Sequence, residues 1–523
     1  MKKLTTVALQ LLMYWLLVQP SSQASLQAAS VASSLGSRGR SVKNNATEAN
    51  ICDLNYEGAP MFCHCDTIDL YRATESKCVV LAALNVDDPI WNIIAKSQPR
   101  LQNLELVVRA GSDMSYVPTK TLRVLKNLTR IELKDATIEE LVEKSFSDIQ
   151  SLTEIHARRC SIVHLRKYAF GNMTKLAAIF LDDNRIHEIN RDVFVNLPSL
   201  RKLTINNNNL TLIHDKALKH LTTLEVLELS ANKISVITSE TFAGLKNLKH
   251  LDLKGNAIEM IGDKTFVEVA ELQVLELDQN KIEFMANGAL EGLRNLRKLS
   301  LSDNKLVRLG TDILSGTPSL NFLDLRSNAL KTITFEHINP MVQELYNATG
   351  HLYLDDNKFI CDCRLAWMFG VRNETSNKVL RDSLGSLTCF LESQNGSIDE
   401  YEVENNETGI EVKHDSGESY EVSKAKDPSP SEQEDDYDDE NNPNTEIATG
   451  KLQKIDGKLG YIKHISDLKF EDLPCPEKEP LGSEQSSSRQ ENAPMQTASA
   501  SKTQLILSSC AQFAVAIVTL AVV

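Results

Sequence analysis

The chain has 523 residues, 42% of them hydrophobic and 24% charged, with 71 Asp and Glu against 56 Lys and Arg for a net charge of −15. The acidic balance disfavours nucleic acid as a partner, because phosphate binding draws on an excess of basic side chains. Ten cysteines make the redox compartment an early question. The chain begins Met1-Lys2-Lys3, continues as an apolar run from Val7 to Val18 and reaches Ser22-Gln23-Ala24. A basic start, an apolar stretch and a small-residue site are the parts of a secretory signal peptide, so residues 1–24 are expected to be one, cleaved after Ala24. Residues 25–50 are rich in Ser and Ala and are expected to form a flexible leader. Residues 51–100 hold four cysteines, Cys52, Cys63, Cys65 and Cys78, ahead of an irregular first coil.

Residues 101–357 are periodic. Asn184, Asn208, Asn232, Asn256, Asn280, Asn304 and Asn328 are each 24 residues apart, Cys160 and Ala136 extend the series backwards, and Asn357 closes it after a longer unit. Each position ends the phrase L-x-x-L-x-L-x-x-N-x-L, of which Leu224-Glu225-Val226-Leu227-Glu228-Leu229-Ser230-Ala231-Asn232-Lys233-Ile234 is a clear copy. A degenerate first coil shows around Leu104 and Leu106, with ten good units in all. A fixed period of this size means a solenoid, in which each coil buries its apolar side only against neighbours. Apolar residues five and three positions before each asparagine alternate with polar ones, which predicts a short strand. The asparagine amide has both donors and acceptors for the backbone of the buried turn that follows. Cys160 is a weaker donor and Ala136 none, so the N-terminal end of the ladder is expected to be its weakest part. Ten residues after each ladder position stand Phe146, Phe170, Phe194, Leu218, Phe242, Phe266, Leu290 and Leu314. They are expected to pack as core beneath the convex side.

The phrase resembles the leucine-rich repeat signature. The resemblance implies an α/β solenoid: a leucine-rich repeat horseshoe with short parallel strands on the concave face and disulfide-capped ends. Three cysteines, Cys361, Cys363 and Cys389, follow the repeats, and Cys475 lies further on. A solenoid needs caps over its end coils, and disulfides can hold small caps in an oxidising compartment. Metal binding is the rival reading of a C-x-C pair, but the secretory start and the lack of finger spacing weigh against it. Cys160 is left unpaired in the ladder and Cys510 lies in the C-terminal tail. The flanks resemble the N- and C-terminal cysteine caps of extracellular leucine-rich repeat proteins. The second match runs Asn357-Lys358-Phe359-Ile360-Cys361-Asp362-Cys363-Arg364-Leu365-Ala366-Trp367. That resemblance implies the pairs Cys52–Cys65, Cys63–Cys78, Cys361–Cys389 and Cys363–Cys475. It departs from the family in one respect: 85 residues separate Cys389 from Cys475. Residues 358–390 are therefore taken as the first part of the C-terminal cap and 451–476 as its last part.

Between them, residues 391–450 hold 19 Asp and Glu against 3 Lys, a balance of −16 that accounts for the charge of the whole chain. Such composition predicts a disordered, solvated insertion. Tyr437, among Glu434, Asp435, Asp436, Asp438, Asp439 and Glu440, is a candidate for sulfation. Residues 477–504 are polar and small, a linker that would hold a glycosylphosphatidylinositol (GPI) attachment site. Residues 505–523 are apolar and run to the last residue. That arrangement fits a GPI signal tail. A retained membrane helix is the alternative, weakened by Ser508, Ser509 and Gln512.

Eight N-x-S/T sequons begin at Asn45, Asn127, Asn172, Asn209, Asn347, Asn373, Asn395 and Asn406, as a secretory route allows. None falls at the outward strand positions six, four and two before a ladder residue. The concave face is therefore expected to be open for a partner. Its candidate binding residues are Arg130, Lys134, Arg158, Phe180, Glu228, Asp252, Glu276, Asp278, Asp324 and Tyr353, with basic groups in the early coils and acidic ones at the centre. A basic end and an acidic middle could meet in a two-fold pair. No G-x-S-x-G, H-E-x-x-H or phosphate-loop motif is present. No enzyme activity, catalytic residue, metal or cofactor is expected. The resemblance extends to lipid-anchored adhesion proteins of muscle and neuron surfaces. It implies a GPI-anchored protein on the outer face of the cell membrane that binds itself on an opposing cell or another extracellular protein. A ligand-binding receptor or co-receptor in guidance or immunity is the alternative.

Overall fold

The computed structural model describes residues 49–54, 58–347, 349–393, 403–406, 409–412, 452–455 and 457–475. The expected signal peptide, nearly all of the leader, Asn45, Asn395, Tyr437, Cys510, most of the acidic insertion, the linker and the apolar tail lie outside these residues. The described residues from Asn50 onward fall in one compact unit.

One sheet of thirteen strands organises this unit, and its strands follow one another in space as they do in sequence, from Met61–Cys65 to His351–Tyr353. The first pair is antiparallel, Met61–Cys65 against Glu75–Val80. Every later pair is parallel. The register is the sequence period itself: Leu203 faces Leu227, then Leu251, Leu275, Leu299 and Leu323. These leucines all point inward and are buried. A slip of one residue would turn them to solvent, so burial fixes the register.

The ladder residues hold the turn that ends each strand. The Asn232 Nδ2 donates to the carbonyls of Ile205 at 2.8 Å, Leu229 at 3.0 Å and Ser230 at 3.2 Å, while its Oδ1 accepts from the Leu210 amide at 3.0 Å. The residue before each ladder position has a left-handed backbone, including Asp183, Ala231, Gln279 and Ser327, with φ between 52° and 59°. Non-glycine residues adopt that conformation at a cost, and the buried amide bonds beside it offset the strain.

The early coils reach the same end differently. The Cys160 thiol donates to the carbonyls of Leu133 and Arg158, both at 3.3 Å, which stand at the same offsets as the carbonyls an asparagine bonds. The Ile138 amide, which an asparagine oxygen would take, donates to the Cys160 carbonyl at 2.9 Å. The strands are also longer here: Arg130–Lys134 and Glu154–Arg158 pair through five residues, whereas coils from Ala178–Phe180 on pair through three. The expected weak end of the ladder is thus supported by extra sheet pairing.

The phenylalanines ten residues on are buried and form stacks on the far side. Ring centroids lie 5.4 Å apart for Phe146 and Phe170, 5.2 Å for Phe170 and Phe194, and 5.9 Å for Phe242 and Phe266. Leu218 separates the two runs and is also buried.

Disulfide Cys52–Cys65 joins the first strand to the segment before it, Cys63–Cys78 links the first two strands, and Cys361–Cys389 and Cys363–Cys475 close the other end. The Trp367 indole donates to the Ile333 carbonyl at 2.8 Å, tying the C-terminal cap to the repeats. In that cap the strand Thr388–Glu392 pairs with Lys458–His464, which pairs in turn with Leu452–Ile455. The acidic stretch therefore leaves from the outer strand on one side of Lys458–His464 and re-enters at the outer strand on the other side, and lengthening such a loop adds little closure cost. Within that stretch, Val403–Asn406 and Gly409–Val412 pair as an antiparallel hairpin. Val403, Ile410 and Val412 are residue types that favour strand.

Candidate binding face

The outward side chains of the long sheet stand in three columns, because each parallel strand repeats its neighbour one coil later. The middle column runs His64, Lys77, Glu105, Glu132, His156, Phe180, Thr204, Glu228, Asp252, Glu276, Ser300, Asp324 and Tyr353. The column toward the ladder carries Lys134 and Arg158 in register. The third column, six positions before each ladder residue, runs Arg130, Glu154, Ala178, Lys202, Val226, His250, Val274, Lys298, Phe322 and His351.

The basic N-terminal end is a closed ion-pair network. Arg130 reaches Glu132 at 3.1 Å and Glu154 at 3.0 Å, and Lys134 reaches Glu105 at 2.9 Å and Glu132 at 2.8 Å. Burial would raise the Glu132 carboxyl, but hydrogen bonds from Lys134 and Arg130 hold it below its ordinary value. A cavity of about 310 Å³ opens beside this network, lined by His64, Asp66, Lys77, Glu105, Arg130 and Glu132 among others.

The next coils carry an aromatic step. His156 stacks on Phe180 with centroids 4.2 Å apart, and its Nε2 lies 3.1 Å from Glu154. Its Nδ1 is buried with no hydrogen-bond partner, and burial pushes the imidazole below its usual value. The guanidinium of Arg158 lies 5.4 Å from the Phe180 ring, and the Lys202 ammonium 5.9 Å from it. Such contacts add about 0.5–1 kcal/mol each at exposed sites.

The acidic centre is largely compensated by the third column. Lys202 donates to Glu228 at 2.6 Å, and Glu276 accepts from Lys298 at 2.6 Å and lies 3.2 Å from the His250 imidazole. The His250 bond outweighs burial and, with Lys298, lowers the Glu276 carboxyl to about 2. His250 is raised in return, first by Glu276. Asp278 is buried and accepts from Ser300 and from the Ser302 amide at 3.0 Å. Asp252 accepts from the Lys254 amide at 2.9 Å, and burial followed by Glu276 raises its carboxyl. At the centre Glu228, Asp252 and Glu276 follow one another, and the first and last pair with bases of the third column.

The C-terminal end is aromatic. Phe322 lies 5.9 Å from His351 and 5.5 Å from Tyr353, with Lys298 over Phe322 and Arg326 over Tyr353. Arg326 also grips Asp324 through two nitrogens, at 3.0 and 2.6 Å. Of the sequon asparagines, Asn127, Asn172, Asn347 and Asn373 are exposed and Asn209 is half-buried. None lies on a strand of the long sheet. Asn406 ends the strand Val403–Asn406 of the separate hairpin. Among the described residues there is no metal-binding cluster and no helix long and apolar enough to cross a membrane.

The leucine-rich repeat family profile matches residues 150–210, 198–258, 247–306 and 294–346. Connectin of Drosophila melanogaster is 48% identical over 66 residues, which is 13% of this chain and 10% of that protein. Solved structures are similar at lower identity. A chain of the Drosophila Toll–Spatzle complex is 18% identical with a TM-score of 0.45, covering 58% of this chain and 50% of that one. A chain of the TLR13–ssRNA13 complex is 21% identical with a TM-score of 0.45, over 54% and 43%. A leucine-rich repeat protein of Leptospira interrogans is 25% identical with a TM-score of 0.39, over 54% and 71%. The 24-residue ladder and the family match together identify the solenoid of this chain as a leucine-rich repeat array closed by disulfide caps.

Proposed function

We propose that this is a GPI-anchored cell-surface protein that mediates adhesion between cells by binding a second copy of itself through the long-sheet face, in nerve or muscle development. The observation that carries this reading is a face of thirteen strands, free of sequons, on which acidic side chains of one column pair with basic ones of the next. Paired columns of this kind can exchange partners with an identical face without burying net charge. The stretch shared with Connectin, the cysteine caps and the ten repeats support the adhesive reading, and the small polar residues 477–504 followed by the apolar residues 505–523 support the anchor.

The aromatic corner of Phe322, His351 and Tyr353 favours a second reading, capture of a foreign extracellular ligand by a receptor or co-receptor. Expression of the full chain on non-adherent cells separates the two. Aggregation among expressing cells alone, lost after treatment with phosphatidylinositol-specific phospholipase, is the expected result. Expressing cells that bind only non-expressing ones would replace it with the receptor reading.

A further inference from the structure

Four positions after each ladder residue, the chain begins the flank that leads away from the long sheet. The next residue points inward, and Ile189, Ile213, Ile237, Ile261 and Met285 are buried there. The fourth position points outward. Through consecutive coils it reads Glu188, Leu212, Val236, Met260, Phe284 and Arg308. The four central residues are exposed, at 40, 59, 60 and 48% respectively. Glu188 faces Leu212 and Met260 faces Phe284 in parallel register. Backbone bonds from Lys233 to Leu210, Ala257 to Ile234 and Lys305 to Ile282, all at 2.9 Å, keep the remaining coils in step. The same position is Glu140 and His164 in earlier coils and Thr332 in a later one. The apolar run is therefore specific to four coils and is not a demand of the fold. With its neighbours it exposes on the order of a few hundred Å² of apolar surface, the size at which patches mark contact sites.

The order of the six residues names the occupant. Read backwards, the column is Arg308, Phe284, Met260, Val236, Leu212, Glu188. A two-fold axis between the Val236 and Met260 coils sets Leu212 against Phe284 of a second copy and Val236 against Met260. It also brings Glu188 to Arg308 at both ends. Arg308 is exposed, with no ion pair among the described residues. Glu188 keeps 43% of its side chain accessible while touching His214 at 3.1 Å. We propose that this flank is a self-complementary contact through which two copies of the chain pair antiparallel, side by side. The small area places the contact in the weak, transient class. It uses a surface separate from the long sheet and stands whether or not that face binds anything.

The register makes the test specific. Leu212 and Phe284 are three coils apart within one chain, ~14 Å at strand spacing, beyond the Cα separation a disulfide spans. In the antiparallel pair they are opposite. The full chain carrying L212C and F284C together, displayed on cells and mildly oxidised, should give a covalent dimer on a non-reducing gel. Neither single variant should do so. Arg308→Glu added to the double-cysteine chain should remove the dimer, and Glu188→Arg together with Arg308→Glu should restore it. The Asn209 sequon borders the Leu212 end, so each arm is repeated with Asn209→Gln. A dimer that forms only with Asn209→Gln supports the stripe and makes the sugar its gate. No dimer in either background, or equal dimer from the single variants, overturns the antiparallel contact.

Discussion

The coils before residue 165 and those from Ala178 on make the same buried turn by different means. The later coils use three-residue strands and an asparagine whose amide reaches as many as three carbonyls. The earlier coils have Ala136 and Cys160 there, and add two further paired residues, Leu133 with Ala157 and Lys134 with Arg158. Side-chain bonds and strand length are thus interchangeable ways of satisfying one set of backbone groups. The longer early strands also give the face its densest ion-pair network, whereas the shorter later ones alternate charge with serine and aromatic groups.

The largest expected effect lies behind the early coils. Phe170 stacks on both Phe146 and Phe194, so Phe170→Ala should lose about 3–5 kcal/mol in denaturant unfolding. A loss under about 1 kcal/mol would mean that the early coils do not depend on this stack. The ladder comes next. Asn232→Ala strips the Leu210 amide and the Ile205 carbonyl of buried partners and should cost about 2–4 kcal/mol. Cys160→Ala removes only thiol donors and should cost about 1 kcal/mol. Equal costs for the two would break the distinction between the coil types.

The smallest effect depends on pH. His250 is raised above its ordinary 6.5 by Glu276, so its contribution is complete below about 6.5 and lost as pH rises through its folded value. Glu276 is depressed to about 2 from 4.5, so its contribution is present above about 4.5 and lost as pH falls toward about 2. The pair therefore stabilises most between about 4.5 and 6.5. His250→Gln should lower the melting temperature more at pH 5.5 than at pH 8, by an amount equivalent to about 0.5 kcal/mol for so accessible a pair. An equal loss at both pH values would remove His250 from the network.

The 24-residue period made the main sheet and its register legible, since the inward Leu at each coil admits no other alignment. The three outward columns of the face followed from the same count. Their charge balance did not. Lys202 pairs with Glu228 and Lys298 with Glu276, 26 and 22 residues away, so neutralisation runs between coils and between columns. The apolar flank was hidden for another reason. Val236-Ile237, Met260-Ile261 and Phe284-Met285 are adjacent apolar pairs that look like core, and only the backbone turn shows that the first of each faces solvent. Cys160 was recognisable as a substitute donor, but the extra strand pairing beside it depends on backbone geometry beyond the repeat phrase.

The claim that the long-sheet face makes the adhesive bond can be tested with a sugar. Glu228→Asn alone completes a sequon with Leu229 and Ser230 at the centre of the face, and adding Ser230→Ala removes it while keeping the charge change. Aggregation of cells displaying the full chain should be lost with Glu228→Asn and persist with the double substitution and with Asn172→Gln, at equal surface levels. Undiminished aggregation with an occupied Glu228→Asn sequon would contradict the account.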